Sequence, residues 1–171
     1  MIVFDASTLI LLAKLDLLQT VASKSALLIP QQVKKEALAR PELYDAQLIQ
    51  RMITTSKLRV SNEISIASCR SLQGQFNLDI GEAAALLLAK KHGAAVAIDD
   101  GAGIKTAKIM GLPFLNAMRF LVECYNRGSM DRKMALAKLD TLSKIGRYDA
   151  RILQDARDIL GRGDLHARDE S

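Results

Sequence analysis

Met1-Ile2-Val3-Phe4-Asp5-Ala6-Ser7-Thr8-Leu9-Ile10 is the stretch on which the fold turns. A short, uninterrupted apolar run ends abruptly in a carboxylate. Small and hydroxyl residues follow, and then an apolar pattern at helical spacing. A run this short and this apolar reads as a buried strand, and strands buried on both faces belong to parallel sheets. Ser7 or Thr8 can cap the helix expected over residues 9–18, and a strand-end Asp such as Asp5 can serve as a cap as well.

The same unit recurs outward from this start. Residues 26–29 read as a second strand, stopped by Pro30, and residues 31–39 as a helix that Pro41 ends or restarts. A helix over 45–56, a brief strand at 58–60 and a helix over 64–76 come next. Asp79-Ile80-Gly81 opens a strong helix over 82–92, with Asp79 as its N-cap and Gly93 closing it. Residues 94–98 are a buried strand ending in Asp99-Asp100. Gly101 and Gly103 predict a loop, 104–110 a helix closed by Gly111, and 112–115 a last strand. From residue 117 the pattern is helical throughout, over 117–126, 131–145 and 149–160, punctuated by Gly128, Gly146 and Gly161.

Strands alternating with helices predict an α/β fold: a three-layer α/β/α sandwich on a central parallel sheet, with added C-terminal helices. The expected organisation is a core of residues 1–116, a helical extension of 117–160 packed on the same domain, and a polar tail of 161–171 expected to be disordered. No internal repeat and no low-complexity segment interrupts it.

The chain has 171 residues, 49% of them apolar, which suffices for a core built from aliphatic side chains, since aromatics make up only 4%. A net charge of +5 favours an acidic partner such as nucleic acid, although no Lys/Arg block is present. Cys69 and Cys124 are far apart and form no C-x-x-C, so they read as buried apolar residues rather than zinc or redox ligands. No basic leader and no apolar run of about 18 residues is present, which predicts a soluble, cytoplasmic chain with no membrane association.

The acids carry the chemistry. In open parallel sheets ligands bind outside the carboxyl ends of the strands, and both Asp5 and Asp99-Asp100 follow strands. Glu82 stands in the first turn of its helix, and Glu36 on the helix after the second strand. Carboxylates gathered at one edge repel one another and resist desolvation. A divalent cation reverses that penalty, and hard ions such as Mg²⁺ and Mn²⁺ prefer oxygen ligands. Each acid also has a plain alternative. Asp5 can cap a helix, Glu82 can complement a helix dipole, Glu36 can be a solvated surface residue, and Asp99-Asp100-Gly101 can be a turn. Only their joint placement separates the two readings. His92, before Gly93, suits a helix C-terminus by its charge, and His166 lies in the polar tail.

These residues resemble the PIN-domain family. The opening strand with Asp5 and Ser7 is similar to the family's first strand and first acid. Pro30-Gln-Gln-Val-Lys-Lys-Glu36 resembles the segment supplying the second acid, Asp79-Ile-Gly-Glu82-Ala-Ala-Ala-Leu86 the third, and Ala97-Ile-Asp99-Asp100-Gly the last. Residues 116–160 resemble the helical extension of a toxin-like, VapC-type prokaryotic subgroup. Two positions depart from that subgroup: Asp5-Ala6-Ser7 stands where Asn-Thr-Ser is frequent, and Gly103-Ile104 where a small residue followed by Arg is usual. Lys105 is then the nearest substitute for that positive charge.

The resemblance implies a ribonuclease that cuts RNA with Mg²⁺ or Mn²⁺, commonly the toxin of a toxin–antitoxin pair, held inactive by a small antitoxin and often a homodimer. It implies Asp5, Glu36, Glu82 and Asp99 as the catalytic acids, with Asp5, Glu82, Asp99 and Asp100 toward the metal. Ser7 would orient a water at the ion. Lys14, Lys35 and Lys105 are the candidates for RNA phosphate contacts. Two rivals are weighed against it. Phosphatases of the haloacid-dehalogenase type share a strand-end Asp but need a second Asp two residues on, where this chain has Ser7. A non-catalytic interaction module, acting through dimerisation or partner binding, would keep the same acids as helix caps.

Overall fold

Val3 and Phe4 have no exposed surface, and the strand that carries them lies in the middle of the sheet. The computed structural model describes residues 1–162. In it, β1 (Ile2–Phe4) pairs in parallel on both sides, with β2 (Leu27–Pro30) and with β4 (Ala95–Ala97). β3 (Leu58–Ser61) adds beyond β2, and β5 (Phe114–Leu115) beyond β4. The order is β3-β2-β1-β4-β5 and every pairing is parallel. The central parallel sheet with flanking helices is therefore as expected.

The chain runs outward from β1 to β3, then returns to the other side of β1 for β4 and β5. The strand order reverses between β1 and β4, and this reversal is where open α/β sheets bind ligands. Register sets what stands there. Phe4 pairs with Ala97, so Asp5 leaves β1 one residue beyond the last paired position and Asp99 leaves β4 two beyond it.

The helices of this part are α1 (Ala6–Lys14), α2 (Leu18–Ala22), α3 (Gln31–Ala37), α4 (Tyr44–Thr54), α5 (Ile66–Phe76), α6 (Ile80–His92) and α7 (Gly101–Ile109). α6 packs against β1, β2 and β4. Its buried residues lie all round it, from Gly81 through Leu86 and on to Leu88 and Ala89, as a helix enclosed in a core requires. His92 ends α6 and meets Glu63 at 3.3 Å, beside the 2.8 Å ion pair of Lys91 with the same carboxylate. Cys69 and Cys124 are buried free thiols.

Three expectations need correction. The helix expected over 9–18 starts earlier and breaks. Asp5 caps it, so Ser7 and Thr8 fall inside its first turn. Beyond Leu15 the backbone of Asp16 turns left-handed at φ 53, and α2 begins separately. The loop expected at Gly101–Gly103 is instead the first turn of α7, capped by Asp100, whose Oδ1 accepts from the Ala102 N–H at 2.8 Å. The last strand keeps only Phe114 and Leu115.

The chain divides into two compact units, one covering Met1–Ala117 and the other beginning at Met118. The second holds most of α8 (Ala117–Asn126), together with α9 (Arg132–Ile145) and α10 (Ala150–Arg162). α9 and α10 pack on each other, with Leu139, Leu142 and Leu160 fully buried and Arg157 paired to Asp140 at 2.8 Å. α10 runs through Gly161 to Arg162, so the helix continues past the glycine expected to end it. The rest of the expected tail, with His166, lies outside the described residues. Among the described residues no helix is long and apolar enough to cross a membrane.

Candidate active site

Asp5 is a charged side chain with only 1% of its surface exposed. Its Oδ1 accepts from the Thr8 N–H at 2.8 Å, which caps α1, and its Oδ2 accepts from the Ser7 hydroxyl at 2.7 Å. Burial pushes its carboxyl up to about 7, against hydrogen bonds from Ser7 and from Thr8 that favour the anion; Asp99 adds a smaller upward push by repulsion. Asp99 is thus an electrostatic neighbour of Asp5, as the register of β1 and β4 requires. One oxygen of Asp99, Oδ2, accepts from the Thr8 hydroxyl at 2.8 Å and from the Ala117 N–H at 3.0 Å.

A second set of acids gathers at the starts of α6 and α7. Glu82 and Asp79 close a capping box. The Glu82 N–H donates to Asp79 Oδ1 at 2.7 Å, and the Asp79 N–H donates to Glu82 Oε2 at 2.9 Å. Glu82 is buried, and desolvation raises its carboxyl to about 7; the Asp79 N–H opposes the rise, while Asp79, Asp100 and Glu36 add to it by repulsion. Glu36, in the last turn of α3, is raised too, by desolvation and then by Asp79. Its carboxylate lies over Gly81: a methyl at that glycine would stand 2.8 Å from Glu36 Oε2. The other glycine of the site, Gly103, faces Ile98 and Glu82. A methyl there would lie 2.2 Å from Ile98 Cδ1 and 3.7 Å from Glu82 Oε1.

The acids therefore form two groups that meet at Asp99-Asp100. Asp5 and Asp99 stand at the switch point of the sheet. Glu82, Glu36, Asp79 and Asp100 stand around the two helix starts. The leading influences on Asp5 and Glu82 are burial, hydrogen bonds and neighbouring carboxylates. The donor set is all hard oxygen, the chemistry that Mg²⁺ or Mn²⁺ takes. Among the described residues, however, no three Asp, Glu, His or Cys side chains are drawn to one point as ligands. The physical reason is visible in the bonds: like charges repel, and Asp5, Asp79, Glu82, Asp99 and Asp100 each take donors from a helix start or a neighbouring hydroxyl.

The basic candidates are distributed unevenly. Lys105 is exposed one turn into α7, and Lys35 is exposed next to Glu36. Lys14 is in the last turn of α1, about 13 Å along the axis from the capping Asp5 at 1.5 Å per residue, and does not share the acidic edge. The two residues that reading the sequence missed are Thr8 and Asp79. Thr8 passed as a possible cap, because nothing local shows a hydroxyl reaching Asp99 from the far side of the sequence. Asp79 passed as a cap only, which it is, although its charge also acts on Glu36 and Glu82.

Comparison with curated proteins and with solved structures gave no match. Comparison with protein families gave DUF3368, a PIN domain, which matches residues 1–161. That span takes in the whole parallel sheet and every acid of both groups. PIN domains have a nuclease-type fold and typically use divalent metal ions. With nearly its whole length matched, this chain belongs to the PIN-domain family.

Proposed function

We propose that the protein is an endoribonuclease that hydrolyses RNA phosphodiester bonds with Mg²⁺ or Mn²⁺, and that it is the toxin component of a type II toxin–antitoxin pair. The observation that carries the catalytic reading is the pair Asp5 and Asp99 at the switch point, with buried Glu82 under the influence of the adjoining Asp100. Stability alone gives no reason to bury carboxylates in this way.

Asp5, Glu82 and Asp99 are the residues that would hold the ion, with Asp100 and Glu36 beside them. A bound divalent cation supplies a nucleophilic water at neutral pH and offsets charge on the phosphodiester. Ser7 keeps Asp5 oriented through its hydrogen bond. Lys35 and Lys105, both exposed, are the side chains that would hold RNA phosphates, contacts that position the strand without reading its bases. Resemblance to the toxin-like subgroup is what supports a small antitoxin partner, a homodimer and a cytoplasmic setting.

The test is cleavage of single-stranded RNA by the purified protein with Mn²⁺ or Mg²⁺. EDTA and Asp5→Asn should each abolish it, and undiminished cleavage by Asp5→Asn would remove Asp5 from the site. For the toxin role, induced expression should arrest growth, and co-expression of a small neighbouring open reading frame should relieve the arrest.

A second reading has its own observation. Asp5, Asp79 and Asp100 all cap helices, which is what a non-catalytic PIN-like interaction module would retain. Calorimetric titration separates the two, since absence of binding at millimolar Mn²⁺ favours the module.

A further inference from the structure

Thr8 is fully buried, and it touches both carboxylates of the switch point. Its N–H donates to Asp5 Oδ1 and its hydroxyl donates to Asp99 Oδ2, each at 2.8 Å. The second bond joins positions 91 apart in the sequence. A helical threonine ordinarily returns its hydroxyl to a carbonyl one turn back, as Thr106 does to Ala102 O at 2.9 Å. Thr8 stands in the first turn of α1, and its hydroxyl reaches instead to a carboxylate carried by the chain beyond β4.

Asp99 Oδ2 receives a second donor, the Ala117 N–H at 3.0 Å. Two donors from two different elements on one oxygen fix the plane of that carboxylate. The branched Cβ of Thr8 restricts its own rotamer, so the hydroxyl is a rigid donor. Thr8 thereby links Asp5 and Asp99, through its main-chain N–H and its side-chain hydroxyl.

We propose that Thr8 is a positioning residue, whose hydroxyl holds the Asp99 carboxylate in the orientation relative to Asp5 in which the pair takes a divalent cation. This rests on the reading of the site as a metal centre. Groups that orient metal ligands by hydrogen bonding change metal affinity by roughly 10–100-fold when removed, which is far more than a surface hydroxyl would.

The experiment is calorimetric titration of the full chain with Mn²⁺, alongside thermal melting without metal. Thr8→Val keeps the branched shape and loses the donor; Thr8→Ser keeps the donor and loses a methyl. The expected result is Mn²⁺ affinity on the order of tenfold or more weaker in Thr8→Val, with Thr8→Ser close to the parent protein. RNA cleavage should fall in kcat with KM for RNA nearly unchanged. If Thr8→Val does not fold, Thr8→Ala against Thr8→Ser reads the same hydroxyl, and equal affinities in that pair overturn the proposal. Thr8→Val that binds Mn²⁺ like the parent but melts lower also overturns it, and leaves the metal centre standing. A folded parent protein that binds no Mn²⁺ overturns the metal centre and the role of Thr8 together.

Discussion

Asp5 combines two jobs that are usually separate. Its hydrogen bond to the Thr8 N–H is an ordinary N-cap, yet its carboxyl is buried and raised to about 7. Asn caps helices about as well as Asp, so Asp5→Asn removes the charge and keeps the cap. Cleavage with Mn²⁺ should therefore fall by at least about a hundredfold, since even indirect ligand contacts reach that range, while the fold persists in circular dichroism. The raised carboxyls also set a pH dependence. Asp5 moves from 3.8 and Glu82 from 4.5, both to about 7. Between about pH 4 and pH 7 the unfolded chain has released protons that the folded chain still holds, so stability declines as pH rises. In EDTA the melting temperature should be higher at pH 5 than at pH 8. Asp5→Asn should flatten that slope, and Mn²⁺ should raise stability at pH 8, where its ligands are deprotonated. Glu63, lowered from 4.5 to about 2 by its bonds to Lys91 and Ser61, acts in the opposite direction mainly below about pH 5, and so contributes little between pH 5 and pH 8. A melting temperature that rises from pH 5 to pH 8 in EDTA would contradict the assignment.

The strands and the acids that end them were readable from the chain because each is a local pattern. Four apolar residues before Asp5, and five before Asp99, announce buried strands without any knowledge of their neighbours. Where helices start was less readable, because competing caps differ by less than tertiary packing contributes. Ser7, Thr8 and Asp5 were all credible for α1, and the register of β1 decided for Asp5. Gly101 and Gly103 looked like a loop because glycine is costly in a helix. The site accepts that cost because Ile98 leaves no room at Gly103. Gly103→Ala should destabilise the protein by about 1–3 kcal/mol through overpacking, measured by urea unfolding, and an unchanged midpoint would show that Ile98 yields freely. Asp79→Ala should cost about 1 kcal/mol for the lost cap. The link from Thr8 to Asp99 was not legible, since nothing in the sequence pairs positions that only the parallel register brings together.

At the scale of the whole molecule, a net charge of +5 sits beside a strongly acidic edge. Such a distribution attracts RNA through exposed lysines while the acids repel its phosphates unless a cation intervenes. RNA affinity should fall with salt, and Lys35→Ala or Lys105→Ala should each reduce the logarithmic salt slope by about 0.7, the value for one phosphate contact on a single strand. Lys14→Ala, at the far end of α1 from Asp5, should leave the slope unchanged. Filter binding across salt concentrations checks all three. The central claim is that the switch point of the sheet is a divalent-cation site, and anomalous diffraction from crystals soaked in Mn²⁺ tests it most directly. The account predicts an anomalous peak with Asp5 and Asp99 among its ligands. A peak elsewhere on the protein, or none at saturating Mn²⁺, would contradict it.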